Sequence, residues 1–185
     1  TDIRVVEMGQ LIGGPFCGQL LGDMGADVIK VEQPGIGDPM RNWGRGDAKL
    51  WWEIVARNKR SVSADLRRPE GQDLVRQLIL KADILLENFR PGTLEKWGMG
   101  PEVLHQLNPG LIIARMSGYG QTGPYSDRAG FGGIGEAMGE SEIFSVAEFI
   151  RVTAHALSLR NSSHLRANVN YRPEVGVLPL AQALR

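Results

Sequence analysis

Short apolar runs alternate along the first 140 residues with segments whose apolar positions recur at helical spacing. The runs predict five strands, at residues 3–8, 27–32, 61–65, 84–86 and 111–114. The intervening pattern predicts helices over 16–24, from Pro69 onward, over 93–97 and over 101–108. Strands that alternate with helices in this way predict an α/β fold, a parallel sheet flanked by helices.

The carboxyl ends of the predicted strands indicate where a ligand would bind. In parallel sheets, ligands occupy the crevice beyond these ends, which lie along one edge of the sheet. The loops that follow the strands cover residues 9–14, 33–60, 87–92 and 116–131. Functional side chains are therefore expected in these four loops.

The chain changes character near residue 140. Gly176 is the only one of the 24 glycines beyond that point, and no aspartate follows Asp127. We therefore predict a domain over residues 1–140 and an atypical tail over 141–185. Residues 142–159 of this tail have the apolar spacing of a helix.

Composition narrows the possible function. The 21 basic and 21 acidic residues balance, which argues against a nucleic-acid-binding protein. Cys17 is the single cysteine, so an internal disulfide framework is excluded and a cytoplasmic location is the default expectation. No apolar run reaches the roughly 18–20 residues that cross a bilayer, so a membrane protein is not expected.

The loop between the first strand and the first helix leaves two interpretations open. Gly9, Gly13 and Gly14 would let the backbone approach a pyrophosphate, and Glu32 at the end of the next strand could bind a ribose. The spacing differs from the G-x-G-x-x-G pattern of dinucleotide-binding proteins. A nucleotide-dependent oxidoreductase is thus one alternative, and a simple tight turn is the other.

A second loop carries candidate nucleotide-binding chemistry. Asn88, Phe89 and Arg90 follow the fourth strand, where the ring could stack on an adenine and the guanidinium could pair with a phosphate. A solvated turn with a packed phenylalanine is an equally good interpretation. The basic run at 57–60 would suit a phosphate-rich ligand, although such runs more often form a solvated surface.

Five segments, taken together and in order, resemble one known family. They are Gly14-Pro15-Phe16, the stretch from Leu21 to Glu32, Asn58-Lys59-Arg60-Ser61, the stretch from Leu86 to Gly92, and the stretch from Ser117 to Pro124. These motifs resemble the amino-terminal half of the family III CoA-transferases, the CaiB/BaiF family, over about residues 2–139. The resemblance implies a Rossmann-like domain, an interlocked homo-oligomer and reversible transfer of CoA between an acyl-CoA and a small carboxylic acid.

The resemblance also implies the positions of the binding residues. Coenzyme A or acyl-CoA is then the substrate, and no cofactor is bound permanently. Leu11 and Ile12 would lie beside the reacting thioester. The implied contacts to the phosphates and the nucleotide are Gln33, Arg67, Asn88, Phe89, Arg90 and Lys96, and Phe131 is a further implied binding residue. The loop from Gly118 to Pro124 favours members that act on dicarboxylates, such as succinyl-CoA transferases.

Two departures from the family pattern limit what the chain is expected to do. Related racemases have a catalytic histidine where this chain has Phe131, and a phenyl ring cannot exchange a proton. Transferases have a nucleophilic aspartate a few tens of residues beyond the segment 135–139, and this chain has none there. We therefore expect a CoA-binding, catalytically incomplete chain with no assignable catalytic residue. A non-catalytic partner of a full-length paralogue is the remaining alternative.

Overall fold

The computed structural model describes residues 2–44 and 50–130, together with the backbone of a short strand at 169–170. The elements in chain order are β1 (Arg4–Glu7), α1 (Gly13–Asp23), β2 (Asp27–Glu32), a 3₁₀ turn (Pro39–Asn42), α2 (Leu50–Ala56), β3 (Lys59–Ser63), α3 (Pro69–Ile79), β4 (Ile84–Glu87), α4 (Thr93–Lys96), α5 (Pro101–Leu107), β5 (Ile112–Arg115) and β6 (Val169–Asn170). The predicted α/β architecture is confirmed.

The strands form one parallel sheet in the order β3-β2-β1-β4-β5-β6. This is the strand order of the Rossmann fold. The chain first builds outward from β1 through β2 to β3, and then returns to add β4 on the other side of β1. The strand order therefore reverses between β1 and β4, which is the point where open parallel sheets have a ligand-binding crevice at their carboxyl edge.

Both faces of the sheet are covered, because its central strands carry apolar residues on each side. Val5 and Leu86 face the α1 side, where Cys17 and Leu21 complete one buried cluster. The other cluster gathers apolar residues of α3, α4 and α5 against the opposite face, among them Val6, Leu85, Val75, Leu94 and Leu104. Buried on both faces, the central strands read as near-continuous apolar runs, as parallel strands do.

Four elements differ from the prediction. Helix α1 begins at Gly13, three residues before the predicted start, and β6 was not predicted. The third strand spans Lys59–Ser63, two residues earlier than predicted, and α2 lies within the segment 33–60 that was expected to be a loop. In the part of the chain that the structure describes, this third strand pairs with β2 alone, so its outer edge tolerates charged residues that obscure a strand pattern. The predicted helix over 142–159 lies outside the described residues, as do most of the positions assigned to the tail.

Among the described residues, no helix combines the length and apolar character needed to cross a lipid bilayer.

Candidate functional site

The crevice between the β1 and β4 loops is bridged by Asn88. Its Oδ1 accepts a hydrogen bond from the backbone N–H of Gln10 at 2.7 Å, and its Nδ2 donates to the carbonyl oxygen of Gln10 at 2.8 Å. One side-chain amide thus satisfies both backbone groups of a single residue on the opposite loop. Asn88 therefore sets the spacing of the two loops, and its polar atoms are engaged within the protein.

The β1 loop makes a tight turn around two glycines. A Cβ atom built on Gly9 would lie 2.8 Å from the Cα of Gly14, and one built on Gly14 would meet Gly9 at the same distance. The two backbones therefore pass too closely for any side chain at either position. This close approach explains the glycine pattern of the loop without a bound pyrophosphate.

Leu11, the next residue in this loop, adopts a left-handed conformation with φ of 61°. Such a φ is uncommon for a residue other than glycine and is unfavourable unless its surroundings hold it. The backbone N–H of Leu11 donates to Asp38 Oδ1 at 3.1 Å, and the same oxygen accepts from the N–H of Met40 at 2.8 Å. Asp38 thus joins the β1 loop to the 3₁₀ turn that follows β2.

Beneath this loop lies a buried cluster of four charged side chains, which we call the four-charge cluster. Lys30 Nζ lies 2.8 Å from Glu7 Oε1 and 2.8 Å from Asp38 Oδ2, and Lys59 Nζ lies 2.6 Å from Glu7 Oε2. All four side chains are at most 2% exposed. Because two carboxylates balance two ammonium groups, the buried charge sums to zero.

The lysines of the four-charge cluster also hold the backbone of the β1 loop and of α1. Lys30 Nζ donates to the carbonyl oxygen of Gly9 at 2.9 Å, and Lys59 Nζ donates to that of Pro15 at 2.6 Å. Burial alone would lower the pKa of Lys30, but the carboxylates of Glu7 and Asp38 outweigh burial and raise it. Burial lowers the pKa of Lys59, and its pairing with Glu7 offsets this only in part.

A second buried charge group supports the β4 loop. Glu87 Oε1 accepts from Arg115 Nε at 2.7 Å, and Glu87 Oε2 accepts from the backbone N–H of Phe89 at 2.7 Å. Arg115 also pairs with Glu95 on α4 at 2.7 Å. Burial raises the pKa of Glu87 in spite of its partner Arg115. The backbone at Phe89 is therefore fixed from below by the ends of β4 and β5.

Phe89 is only half-buried. Its ring packs edge-on against Trp97, with ring centroids 5.2 Å apart, and it borders the apolar cluster beneath the sheet. Arg90, which follows Phe89 in the chain, and Lys96, which precedes Trp97, are both exposed. The loop after β4 thus presents one half-buried aromatic side chain and one exposed cation, and α4 ends with a second exposed cation.

The other predicted binding residues have more varied surroundings. Ile12 is 48% exposed at the start of α1, Leu11 is half-buried, and Gln33 is half-buried at the end of β2. Arg67 is exposed and forms an ion pair with Asp65 at 3.0 Å. Phe131 lies outside the described residues.

Glu32 does not have the free carboxylate that ribose binding would require. Arg41 donates to both of its oxygens, at 2.7 and 2.8 Å, and Ser61 Oγ and the backbone N–H of Asp38 also donate to it. Burial would raise the pKa of Glu32, but these donors outweigh it and lower the pKa to about 2. With its acceptor sites engaged internally, Glu32 gives no support to the dinucleotide interpretation.

The basic run at 57–60 is likewise engaged within the protein. Arg57 pairs with Asp23 at 2.6 Å, Arg60 pairs with Asp27 at 2.6 Å, and Lys59 belongs to the four-charge cluster. A cleft of about 220 Å³ lies beside these residues, lined by Lys30, Glu32, Arg41, Trp52, Ala56, Lys59, Arg60 and Ser61. Its cationic side chains are paired with carboxylates, so the cleft does not present a free phosphate-binding set.

Sequence reasoning missed the buried charges, although one signal pointed to them. Glu7, Glu32 and Glu87 each end a strand, and Lys30 interrupts an otherwise apolar strand. A charged residue in a parallel strand that is covered on both faces needs a partner, because an isolated buried charge is very costly. The same reasoning would have led from Lys30 to the carboxylates beside it.

Comparison with known proteins decides between the nucleotide-binding interpretations. The model of a family described as CoA-transferase family III matches residues 1–142. The chain belongs to CoA-transferase family III.

The relatives of this family III chain extend well beyond the matched part. It is 66% identical over 141 residues to the succinyl-CoA–D-citramalate CoA-transferase of Chloroflexus aurantiacus, which covers 75% of this chain and 35% of the relative. It is 54% identical over 143 residues to the beta subunit of the succinyl-CoA–L-malate CoA-transferase of the same organism, with the same coverage. The chain thus spans about a third of the length of these curated relatives.

Solved structures place the family III fold in the same class. A CaiB/BaiF family protein from Brucella suis is 36% identical and has a TM-score of 0.77, with 86% of this chain and 49% of that chain covered. A protein from Mycobacterium tuberculosis is 40% identical, with a TM-score of 0.69 over 76% of this chain and 39% of that chain. The resemblance identified from the sequence motifs is therefore confirmed.

Proposed function

We propose that the chain binds an acyl-CoA in the crevice between the β1 and β4 loops. The observation that carries this proposal is the placement of Phe89 and Arg90 in the loop after β4, where the strand order reverses, with Lys96 exposed at the end of α4. Ligands of parallel α/β sheets bind at such points, and a family III member takes CoA thioesters as substrates. The half-buried ring offers a stacking surface, and the two exposed cations offer charge to phosphates.

The two ends of the ligand would be recognised by different loops. Phe89 and Arg90 would contact the nucleotide and its phosphates, with Arg67 reaching them once it is released from Asp65. Leu11 and Ile12 would contact the acyl end, where half-buried apolar side chains exclude water from a thioester. Gln33 would form a polar, uncharged contact with the ligand. An arginine at this position would instead form an additional ion pair with a phosphate.

The proposed substrate class is a dicarboxylic acyl-CoA, with a small carboxylic acid as acceptor. Both Chloroflexus relatives are named for succinyl-CoA, and an Agrobacterium fabrum relative that is 46% identical is named a succinate–glutarate CoA-transferase. The loop from Gly118 to Pro124 points to the same class. Succinyl-CoA is accordingly the donor with which to begin.

Transfer itself would require a carboxylate nucleophile. Its attack on the thioester forms a mixed anhydride and releases CoA thiolate, which then attacks the enzyme carbonyl and releases the donor acid. The acceptor carboxylate then attacks the resulting enzyme–CoA thioester, which forms a second mixed anhydride and releases CoA thiolate. The thiolate attacks the acceptor carbonyl, so the acceptor leaves as its CoA thioester and the enzyme carboxylate is restored. No aspartate follows Asp127 in the 185 residues, so we propose that this chain binds acyl-CoA without turning it over.

Calorimetric titration with CoA tests the binding proposal, using Arg90→Ala as the decisive variant. A charge-assisted hydrogen bond contributes about 1.5–3 kcal/mol, so we expect at least about tenfold weaker binding. Arg57→Ala is the matched control, because Arg57 pairs with Asp23 at the opposite end of α1. Absence of CoA binding by the unaltered chain, or equal affinity of the Arg90→Ala variant, would overturn the proposal.

A second candidate is a subunit that pairs with another family member. The relatives include alpha and beta subunits of the succinyl-CoA–L-malate CoA-transferase, at 52% and 54% identity. We infer a cytoplasmic protein that associates with itself or with such a paralogue. Co-expression with a tagged full-length paralogue tests pairing, and co-elution in a fixed ratio is expected if the subunit interpretation holds.

A further inference from the structure

Three consecutive residues of the β1 loop are each held by a different side chain. Lys30 binds the carbonyl oxygen of Gly9, Asn88 binds both backbone groups of Gln10, and Asp38 accepts from the N–H of residue 11. The side chains of Lys30 and Asp38 are at most 2% exposed, and Lys30 Nζ lies 2.8 Å from Asp38 Oδ2. The loop is thus fixed from inside the protein rather than by its own sequence.

Residue 11 is the point where this fixing matters most. Leucine rarely adopts a left-handed backbone, and its Cβ makes that conformation unfavourable. A free chain would therefore leave φ of 61° for the ordinary negative region, and Leu11 with the following residue would turn away from the crevice. The hydrogen bond from the N–H of Leu11 to Asp38 opposes this change directly.

Asp38 is itself held so that its carboxylate cannot turn away. Its backbone N–H donates to Glu32 Oε2 at 2.9 Å, one carboxylate oxygen faces Lys30, and the other accepts from Leu11 and Met40. Both carboxylate oxygens and the backbone N–H of Asp38 are therefore fixed by contacts within the protein. A carboxylate with this many buried contacts is a rigid support for the loop.

We propose that Asp38, supported by Lys30, is a positioning residue that holds Leu11 in its left-handed conformation and so shapes the crevice for acyl-CoA. This inference rests on the proposed binding of acyl-CoA between the β1 and β4 loops. Asp38 acts through Leu11 and does not touch the ligand. Its effect on affinity should therefore depend on which residue occupies position 11.

A double-mutant cycle between positions 38 and 11 tests this dependence, with succinyl-CoA affinity measured by calorimetry because Leu11 is proposed to contact the acyl end. Asp38→Ala should weaken binding about tenfold when position 11 is leucine, which corresponds to about one lost hydrogen bond to a charged group. Glycine adopts positive φ as readily as negative φ. In the Leu11→Gly background, Asp38→Ala should therefore cost less than about threefold.

A purely structural role for Asp38 gives a different result. If the aspartate only ended the 3₁₀ turn through Met40, its loss would weaken binding by the same factor in both backgrounds. An equal factor, or no loss of affinity in the leucine background, would overturn the inference. Asp23→Ala is the matched control, because it removes a paired aspartate at the far end of α1 and should leave affinity within about twofold.

Folding is checked for each variant by circular dichroism. If Asp38→Ala does not fold, the cycle is repeated with Lys30→Met in all four proteins, because this change removes the buried ammonium group that loses its partner Asp38. The same criterion applies: a smaller loss in the Leu11→Gly background supports the inference, and an equal loss overturns it.

Failure of the proposed function gives a distinct result. If the unaltered chain does not bind CoA, the site assignment is wrong, and hydrogen exchange at the amide of residue 11 then tests the inference. Positioning predicts at least about tenfold faster exchange in the Asp38→Ala variant than in the unaltered chain, because alanine removes the acceptor of the Leu11 amide. Unchanged exchange would overturn it.

Discussion

Gly18 illustrates how one buried charge determines a neighbouring residue. A Cβ atom built on Gly18 would collide with Glu7 Oε2 and lie 3.3 Å from Lys59 Nζ. Neither charged group can withdraw, because each is fixed in the four-charge cluster. A glycine within α1, which costs helix stability by itself, is therefore required for the carboxylate to fit.

The Gly18→Ala substitution should consequently destabilise the fold, although alanine favours helices by about 1 kcal/mol over glycine. We expect a net loss of about 1–3 kcal/mol in the free energy of unfolding, measured with urea, because overpacking a fixed site forces its neighbours to shift. Gly110→Ala is the control, since the nearest atom to a Cβ there is 3.8 Å away. A Gly18→Ala variant that is as stable as its parent would contradict this packing argument.

Glu32 gives a prediction about acid stability. The contacts of the folded protein lower the pKa of Glu32 to about 2, from the value of 4.5 that the side chain has without them. A lowered pKa contributes stability that is complete above pH 4.5 and is lost as the pH falls toward 2. Allowing for the partly exposed Arg41, the contribution is about 2 kcal/mol.

Urea unfolding of the parent and of Glu32→Gln across this pH range measures the contribution. The parent should lose stability more steeply than Glu32→Gln as the solution is acidified from pH 4.5. Ser61→Ala removes one donor at 2.6 Å from Glu32 and should give an intermediate slope. Parallel curves for the parent and Glu32→Gln would show that this carboxylate is not stabilised in the fold.

At the scale of elements, Asn88 is the direct link between the loops of β1 and β4. Asn88→Asp would keep an acceptor for the N–H of Gln10 but place an oxygen against its carbonyl oxygen, 2.8 Å from the present donor. We expect Asn88→Asp to cost about 1–3 kcal/mol near neutral pH, more than Asn88→Ala, whose unpaired backbone groups can bind water.

The pH dependence of the stability of Asn88→Asp and Asn88→Ala provides a second test. A protonated carboxyl group can donate, so the penalty of Asn88→Asp should shrink as the pH falls below about 4. Thermal unfolding of the two variants at neutral and acidic pH measures this. Equal stability of Asn88→Asp and Asn88→Ala at neutral pH would mean that the two loops are not joined as described.

The elements that the sequence predicted well are those whose apolar residues face the core. β2 begins and ends at the predicted residues 27 and 32, and α3 begins at Pro69 as predicted. α2 was missed because Leu50, Trp51 and Ile54 are exposed, so its apolar residues do not mark a buried face. The periodicity of apolar residues indicates which face of an element is buried. An element without a buried apolar face is therefore not predicted from this periodicity.

The candidate site shows the same limit. Strand ends and loop order were sufficient to place Asn88, Phe89 and Arg90 at the carboxyl edge. The engagement of Asn88 by Gln10, and of Arg67 by Asp65, depends on hydrogen-bond geometry that no spacing in the sequence encodes. Which polar groups remain available to a ligand could therefore not be predicted.

At the scale of the whole molecule, the proposed binding without turnover has a chemical test. After incubation with succinyl-CoA, hydroxylamine converts an enzyme anhydride or thioester into a hydroxamate that mass spectrometry detects. We expect no hydroxamate, because the chain has no aspartate after Asp127 to serve as nucleophile. A hydroxamate on Glu142 or Glu148 would show that a glutamate takes this role and that the chain is active.

The four-charge cluster also constrains how this sequence can be recombined or evolve. Glu7, Lys30, Asp38 and Lys59 come from four separate places in the chain, yet each compensates another in a space closed to water. Exchanging one of them with a homologue that differs there would leave an uncompensated buried charge, which typically costs several kcal/mol. In a chimaeric gene, positions 7 to 59 should therefore be inherited as one block, and crossovers should be tolerated better after β3 than within this interval.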